Sequence, residues 1–188
     1  YPDTQLYDPF CGSGTFLIEA AYKAKNIAPG IYRRFAAEKW DSLPSKIWQT
    51  SREEAIEKIR KDIKFTAFGS DISQDSLEIA EANARRAGIS GLIRLEKTDV
   101  KNFTIPDRKS LVVTNPPYGE RLMNGEDLTK LYQTMGNVFQ PSQQTAYYII
   151  SSAEDFEQGF GRKADKKRKL YNGMLKCNLY QYFAQKSK

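Results

Sequence analysis

Apolar positions along the chain switch repeatedly between the alternation of a strand and the spacing of a helix. Gln5-Leu6-Tyr7 reads as a short strand entering a glycine-containing turn, Asp8-Pro9-Phe10-Cys11-Gly12-Ser13-Gly14-Thr15-Phe16. From Phe16 to Asn26 the spacing is helical, with Phe16, Leu17, Ala20, Ala21 and Ala24 on one face, and Pro29 and Gly30 are expected to stop it. Residues 31–50 read as an aromatic-rich insertion carrying Tyr32, Phe35, Trp40 and Trp48. Ser51-Arg52-Glu53-Glu54 then resembles an N-cap and an acidic first turn, followed by Ala55, Ile56, Ile59 and Ile63 at helical spacing. Phe65 to Phe68 predicts a second strand running into Gly69-Ser70-Asp71, and Ser73 or Asp75 caps a helix that Gly88 closes after Ala87. Leu92 to Leu95 and Leu111 to Thr114 predict two more strands, Asp127 to Phe139 a helix, and Ala146 to Ser151 a fifth strand. Lys169 to Phe183 folds as two strands about a tight Asn172-Gly173 turn.

This alternation predicts an α/β domain with an open, mostly parallel sheet, helices on both faces and a closing antiparallel hairpin. In such sheets ligands bind beyond the carboxyl ends of the strands, where the strand order reverses. The residues with chemical potential fall at those ends: Asp8 to Gly14, Asp71, Asp99 and Asn115.

Composition narrows the chemistry. A length of 188 residues suits one domain with a sizeable core. No apolar run approaches a membrane span, and no signal peptide is visible. The start, Tyr1-Pro2-Asp3, lacks an initiator Met and leads us to expect a piece of a longer protein. Two cysteines, Cys11 and Cys177, make no disulfide framework and fit a reducing cytoplasm. The absence of histidine removes Ser-His-Asp and Cys-His sites and leaves no convincing zinc site, so no metal is expected. The net charge of +6 favours a polyanionic partner.

Gly12 and Gly14 allow the backbone to approach a ligand closely, with helix N–H groups facing it. A dinucleotide fingerprint needs a third glycine where Leu17 stands, so NAD is disfavoured. Asp71, at the end of the second strand, suits the ribose hydroxyls of an adenosine-containing ligand, and it competes with a reading as a helix cap. Asp99, after the third strand, faces the adenine edge or serves as a turn residue. Asn115-Pro116-Pro117-Tyr118 is the sharpest signal. Its prolines hold the Pro116 carbonyl rigid. The Asn115 side-chain oxygen and that carbonyl each suit one hydrogen of a planar NH2 group, and Tyr118 suits stacking on a base. Together these point to S-adenosylmethionine (SAM) and methylation of an exocyclic or amide nitrogen. Guanine N2, adenine N6 and a glutamine amide all remain open at this point, as does a non-catalytic SAM- or RNA-binding domain.

Asp8 to Ala21 resembles the SAM-binding segment of bacterial large-subunit (23S) ribosomal RNA guanine-N2 methyltransferases that carry a THUMP domain. The resemblance continues through Asn26 to Gly30, Arg33-Arg34-Phe35, Glu38-Lys39-Trp40, Gly69 to Ile72, Asn115 to Leu122 and Lys169 to Gly173. It implies a seven-stranded Rossmann-like class I SAM-dependent domain spanning the chain, with an insertion at about 29–64. It also implies that the family's N-terminal RNA-gripping THUMP region is absent. The candidate cofactor contacts are Asp8, Cys11, Gly12, Ser13, Gly14, Thr15, Asp71, Ile72, Asp99 and Asn115. The candidate catalytic residues are Asn115, Pro116 and Tyr118, and the implied substrate is the N2 amine of a guanine in RNA.

Arg162 to Lys169 holds six basic residues in eight. Its Lys166, Lys167 and Arg168, together with Arg33 and Arg34, are candidate phosphate contacts, against a reading as a solvated loop. The aromatics of the insertion are expected to pack onto the core. Glu120 and Arg121 pair with each other or with substrate.

Overall fold

The computed structural model describes residues 4–105, 107–117 and 125–185, with side chains of the last stretch from 128 onward. Seven strands form one sheet: β1 (Gln5–Asp8), β2 (Ala67–Asp71), β3 (Ile93–Lys97), β4 (Ser110–Thr114), β5 (Thr145–Ser151), β6 (Lys166–Asn172) and β7 (Leu175–Tyr182). The order is β3-β2-β1-β4-β5-β7-β6. The first five strands are parallel neighbours, and β7 pairs antiparallel with both β5 and β6. The expected parallel sheet with an antiparallel hairpin is therefore found. Five helices accompany it among the described residues: α1 (Thr15–Lys25), α2 (Ser45–Glu57), α3 (Gln74–Arg86), α4 (Gly125–Val138) and α5 (Phe156–Phe160).

Strand alternation splits the core in two, because successive side chains point to opposite faces. Leu6 packs with Leu17, Ala21, Leu77 and Ala84 of α1 and α3. Its neighbour Tyr7 packs with Tyr132 and Met135 of α4, with Phe139 just after it, and with Phe156 and Phe160 of α5. On the first face, Leu111, Val113, Ala146, Tyr148, Ile150 and Leu179 line a groove of about 600 Å3 beside Phe16. No described helix is long and apolar enough to cross a membrane.

Several boundaries differ from the sequence expectation. Asn26, in the left-handed region at φ 57°, ends α1 before Pro29 and Gly30 are reached, and its N–H bonds back to the last turn. Ser51 is no N-cap: α2 already begins at Ser45, after Pro44 with its φ of −56°. The end of the aromatic insertion, residues 45–50, thus belongs to α2. The start slipped because the polar stretch 51–54 looks like a first turn, whereas it is held in mid-helix by Arg52, which bonds Glu38 and the Arg33 carbonyl. Ile56 is half exposed, and only Ala55 and Ile59 of the expected face meet the core. β2 extends through Gly69, where a side chain would collide with Leu17 of α1; the glycine lets that helix sit on the sheet. α5 was not anticipated, being too short to show a period. The basic run is not simply a solvated loop, since Lys166 to Lys169 open the edge strand β6.

Candidate active site

The chain runs from β1 to β2 to β3 in one direction along the sheet and returns to place β4 on the other side of β1. The order reverses at β1, and the strand ends there form a rim. Asp8 ends β1, Asp71 ends β2, and Asn115 follows Thr114, the last residue of β4.

The glycine turn is held from three sides. The Gly12 N–H donates to Asp71 Oδ2 at 3.0 Å, and the Cys11 N–H donates to the Ser70 carbonyl at 3.0 Å. Asn83, on α3, donates its side-chain N–H to the Ser13 carbonyl at 3.0 Å. The Ser13 and Thr15 hydroxyls lie 3.1 Å apart. Both glycines have positive φ, 49° at Gly12 and 80° at Gly14, where a side chain is strained. Their surroundings differ. A Cβ at Gly14 would meet the Ala80 Cβ at 3.1 Å, so that glycine lets α1 and α3 approach. A Cβ at Gly12 would meet nothing within 4 Å, so this backbone faces open space where a ligand can lie against it. Cys11 is buried, and burial pushes its thiol up to about 12, so it stays protonated and inert.

Asp71 does more than expected of either reading. Oδ2 accepts from Gly12, and Oδ1 accepts from the Ser73 N–H at 2.9 Å where the chain turns into α3. Ser73 is the N-cap of that helix, its side chain accepting from the Ser76 N–H at 3.3 Å. Each carboxylate oxygen has two lone pairs, so these bonds leave acceptor capacity. Ile72, beside it, is 68% exposed. Asp99 does act as a turn residue, capping a short 3₁₀ turn through the Lys101 N–H at 3.0 Å and pairing with its ammonium at 3.2 Å. The Lys101 backbone bond and charge hold its carboxyl below the usual range.

Asp8 is fully enclosed. Its Oδ1 accepts from the Thr114 hydroxyl at 2.7 Å and from the Phe10 N–H at 3.2 Å. Burial raises its carboxyl to about 7; the neighbouring Asp71 charge adds to this, and the two hydrogen bonds oppose it. Thr114 was read from the sequence only as a strand residue. Nothing local marks its partner, because the contact exists only where β4 lies beside β1. Asn83 was missed too, because a polar helix residue gives no sign of where it points.

Asn115 carries the most telling feature. Its side-chain Oδ1 is buried with no hydrogen-bond partner among the described residues. An orphaned buried acceptor costs roughly 1–3 kcal/mol, and a ligand N–H would remove that cost. Pro116 is among the most deeply buried residues. Tyr118, Glu120 and Arg121 lie outside the described residues. Asp71, with acceptor capacity to spare, and the open backbone at Gly12 stand together at this rim.

The cation candidates fall on two separate elements. Arg33 and Arg34 are exposed in the connection between α1 and α2, with the Arg33 guanidinium 5.8 Å from the Phe35 ring centre. Lys166, Lys167 and Arg168 are on β6. Lys167 is held by Glu157 at 2.6 Å and lies over the Tyr180 ring. No cluster of potential metal ligands occurs among the described residues.

Residues 1–181 match the family described as UPF0020, RMKL-like, methyltransferase domain. The chain belongs to this family. It is 44% identical over 184 residues to YpsC of Bacillus subtilis, a protein named as an RNA methyltransferase; the match covers 98% of this chain and 48% of YpsC. It is 39% identical over 193 residues to the ribosomal RNA large subunit methyltransferase K/L of Shewanella baltica, covering 97% of this chain and 27% of that protein. The solved structure of SMU.472, described as a methyltransferase complexed with S-adenosylhomocysteine (SAH), superposes with a TM-score of 0.94 at 43% identity, covering all of this chain and 50% of that one. The chain thus spans half or less of these relatives. The fold is that of class I SAM-dependent methyltransferases, and SAM is the cofactor of this RMKL-like domain.

Proposed function

We propose that this RMKL-like domain transfers the methyl group of SAM to the exocyclic N2 amine of a guanine in RNA, in large-subunit ribosomal RNA. The unpartnered, buried Oδ1 of Asn115 carries this reading. It supports an NH2 ligand because it is an acceptor already stripped of water, at the strand end next to the cofactor turn.

SAM supplies a methyl group activated on a sulfonium. Asn115 Oδ1 and the Pro116 carbonyl each accept one N–H of the amine. These two bonds hold the amine and localise its lone pair, which otherwise conjugates into the base ring. As the nitrogen takes the methyl group, its charge rises, and the two acceptors stabilise that charge without reorganising. The amine then loses a proton to water. Asp71 receives the ribose hydroxyls, Gly12 allows the cofactor to lie on the backbone, and Asp99 and Ile72 border the adenine. Asp8, Cys11, Ser13, Gly14 and Thr15 shape the turn beneath it. Tyr118 is proposed to stack on the base. A paired base must be flipped out to reach this pocket. Selection of one guanine is proposed to need the rest of a chain as long as the relatives.

The relatives named above for RNA methylation support an RNA substrate over a DNA adenine or a protein glutamine. The test is methyl transfer to unmodified 23S ribosomal RNA, with nucleosides identified by mass spectrometry. N2-methylguanosine is expected. A product of N6-methyladenosine alone would replace guanine by adenine in this assignment.

A further inference from the structure

We propose that the segment Tyr32 to Trp40, outside the strand-end site, is a stacking platform for single-stranded RNA. This inference rests on the RNA reading above and deepens it by naming a second contact surface.

The aromatic side chains of the α1–α2 connection divide into two sets. Phe35 and Trp48 stack on each other at 5.7 Å with an interplanar angle of 20°, Phe35 remaining 39% exposed. Tyr32 and Trp40 do not pack onto the core as the sequence suggested: they are 75% and 61% exposed. Large aromatic rings left in water at this level mark a contact surface more often than a lone exposed leucine does.

The segment that presents them is braced. Arg52 of α2 donates to the Arg33 carbonyl at 2.8 Å and pairs with Glu38. Glu38 in turn accepts from the Phe35 N–H at 2.7 Å. The Trp40 N–H bonds the Ala37 carbonyl at 3.1 Å, and the Leu43 N–H bonds the Trp40 carbonyl at 3.0 Å. A backbone so held presents its rings with little ordering left to do on binding.

Charge identifies the partner. Arg33, Arg34 and Lys39 are exposed between the two free rings. The acid of the segment, Glu38, is already paired with Arg52, so the outward face is positive. Cations alternating with flat rings match a phosphate backbone with unstacked bases; a duplex hides its ring faces, and a hydrophobic peptide does not need the arginines.

The two tryptophans make the test direct, because Trp40 is exposed and Trp48 faces Phe35. The full chain is titrated with a fluorescein-labelled 12-nucleotide oligouridylate, reading RNA anisotropy and tryptophan emission together. Binding should quench emission in the wild type but not in Trp40→Phe. Trp40→Ala and Tyr32→Ala should each weaken binding about tenfold, as expected for a lost stacking partner. A self-complementary RNA duplex should bind without the quench. Binding with unquenched Trp40, or with full affinity in both alanine variants, overturns the platform and leaves the methylation reading standing. Failure to bind or methylate any RNA, with SAH still bound in calorimetry, overturns the RNA reading and the platform with it.

Discussion

The Thr114 hydroxyl donates to Oδ1 of Asp8 at 2.7 Å, and this buried bond ties the end of β4 to the end of β1. The residue after Thr114 is Asn115, and the residues after Asp8 form the glycine turn. One bond therefore connects the segment proposed to hold the base with the segment proposed to face the cofactor. Thr114→Val keeps the shape and removes the donor. It should leave SAH affinity within a few-fold and lower kcat about ten- to a hundredfold, since small misplacements at reacting atoms have costs of that order. Thr114→Ser should restore most of the rate. Equal rates in wild type and Thr114→Val would show that the bond has no part in positioning.

Asp8 also makes stability depend on pH. Its carboxyl is raised from 3.8 to about 7, chiefly by burial, with Asp71 as the charged neighbour and with Thr114 and the Phe10 N–H as its hydrogen-bond donors. Between about pH 4 and 7 the unfolded chain has released this proton while the folded chain keeps it, so the Asp8 contribution to stability is lost as pH rises through that window. Urea midpoints for wild type and Asp8→Asn should diverge there, the wild type losing more between pH 4.5 and 7.5. Parallel midpoint curves for the two proteins would count against the raised carboxyl.

Asp71 fastens the glycine turn through Gly12 and the start of α3 through Ser73. Asp71→Ala removes both backbone bonds and the proposed ribose acceptor. Because hydrogen bonds to a charged group are worth roughly 1.5–3 kcal/mol, SAH affinity should fall at least about tenfold in calorimetry. Asp71→Asn, which keeps one oxygen, should be less impaired. An affinity within twofold of wild type for Asp71→Ala would remove it from the cofactor site.

Asn115→Ala separates chemistry from cofactor binding. The lost oxygen has no partner among the described residues, so the fold should not weaken through a bond broken there. SAH affinity should stay within a few-fold while methyl transfer falls by about 10²–10³, the usual cost of one oriented partner for developing charge. Retained turnover would refute the assigned role.

The cations of β6 are not equivalent. Lys167 is held by Glu157, whereas the residues opposite Lys166 and Arg168 in the ladder, Gln181 and Leu179, carry no charge. If β6 touches RNA phosphates, neutralising Lys166, Arg168 and Lys169 together should flatten the salt dependence of RNA binding, and Lys167→Met alone should change it little. A slope carried by Lys167 alone would reverse this ranking. Charged side chains on this outermost strand also discourage edge-to-edge pairing with another sheet.

The chain order of strands and helices was legible in the sequence because period and turn chemistry are local. Gly12, Asp71 and Asn115 could be assigned to a common rim before any coordinates, since in a parallel sheet every carboxyl end faces the same way. The aromatic and charged signals in 31–54 misled, because which rings stack on each other and where α2 starts depend on Arg52 and Trp48 reaching back to Glu38 and Phe35. Those contacts join residues on separate elements, and no local pattern encodes them. The same holds for Thr114 and Asp8, which are 106 residues apart in sequence and meet only because β4 lies beside β1. The sequence by itself determined the sheet, the rim and the residue types at it. Only the tertiary structure decided which acid is buried and has its carboxyl raised, which oxygen is left without a partner among the described residues, and which rings face water, since each of these depends on what the rest of the chain brings within a few ångströms.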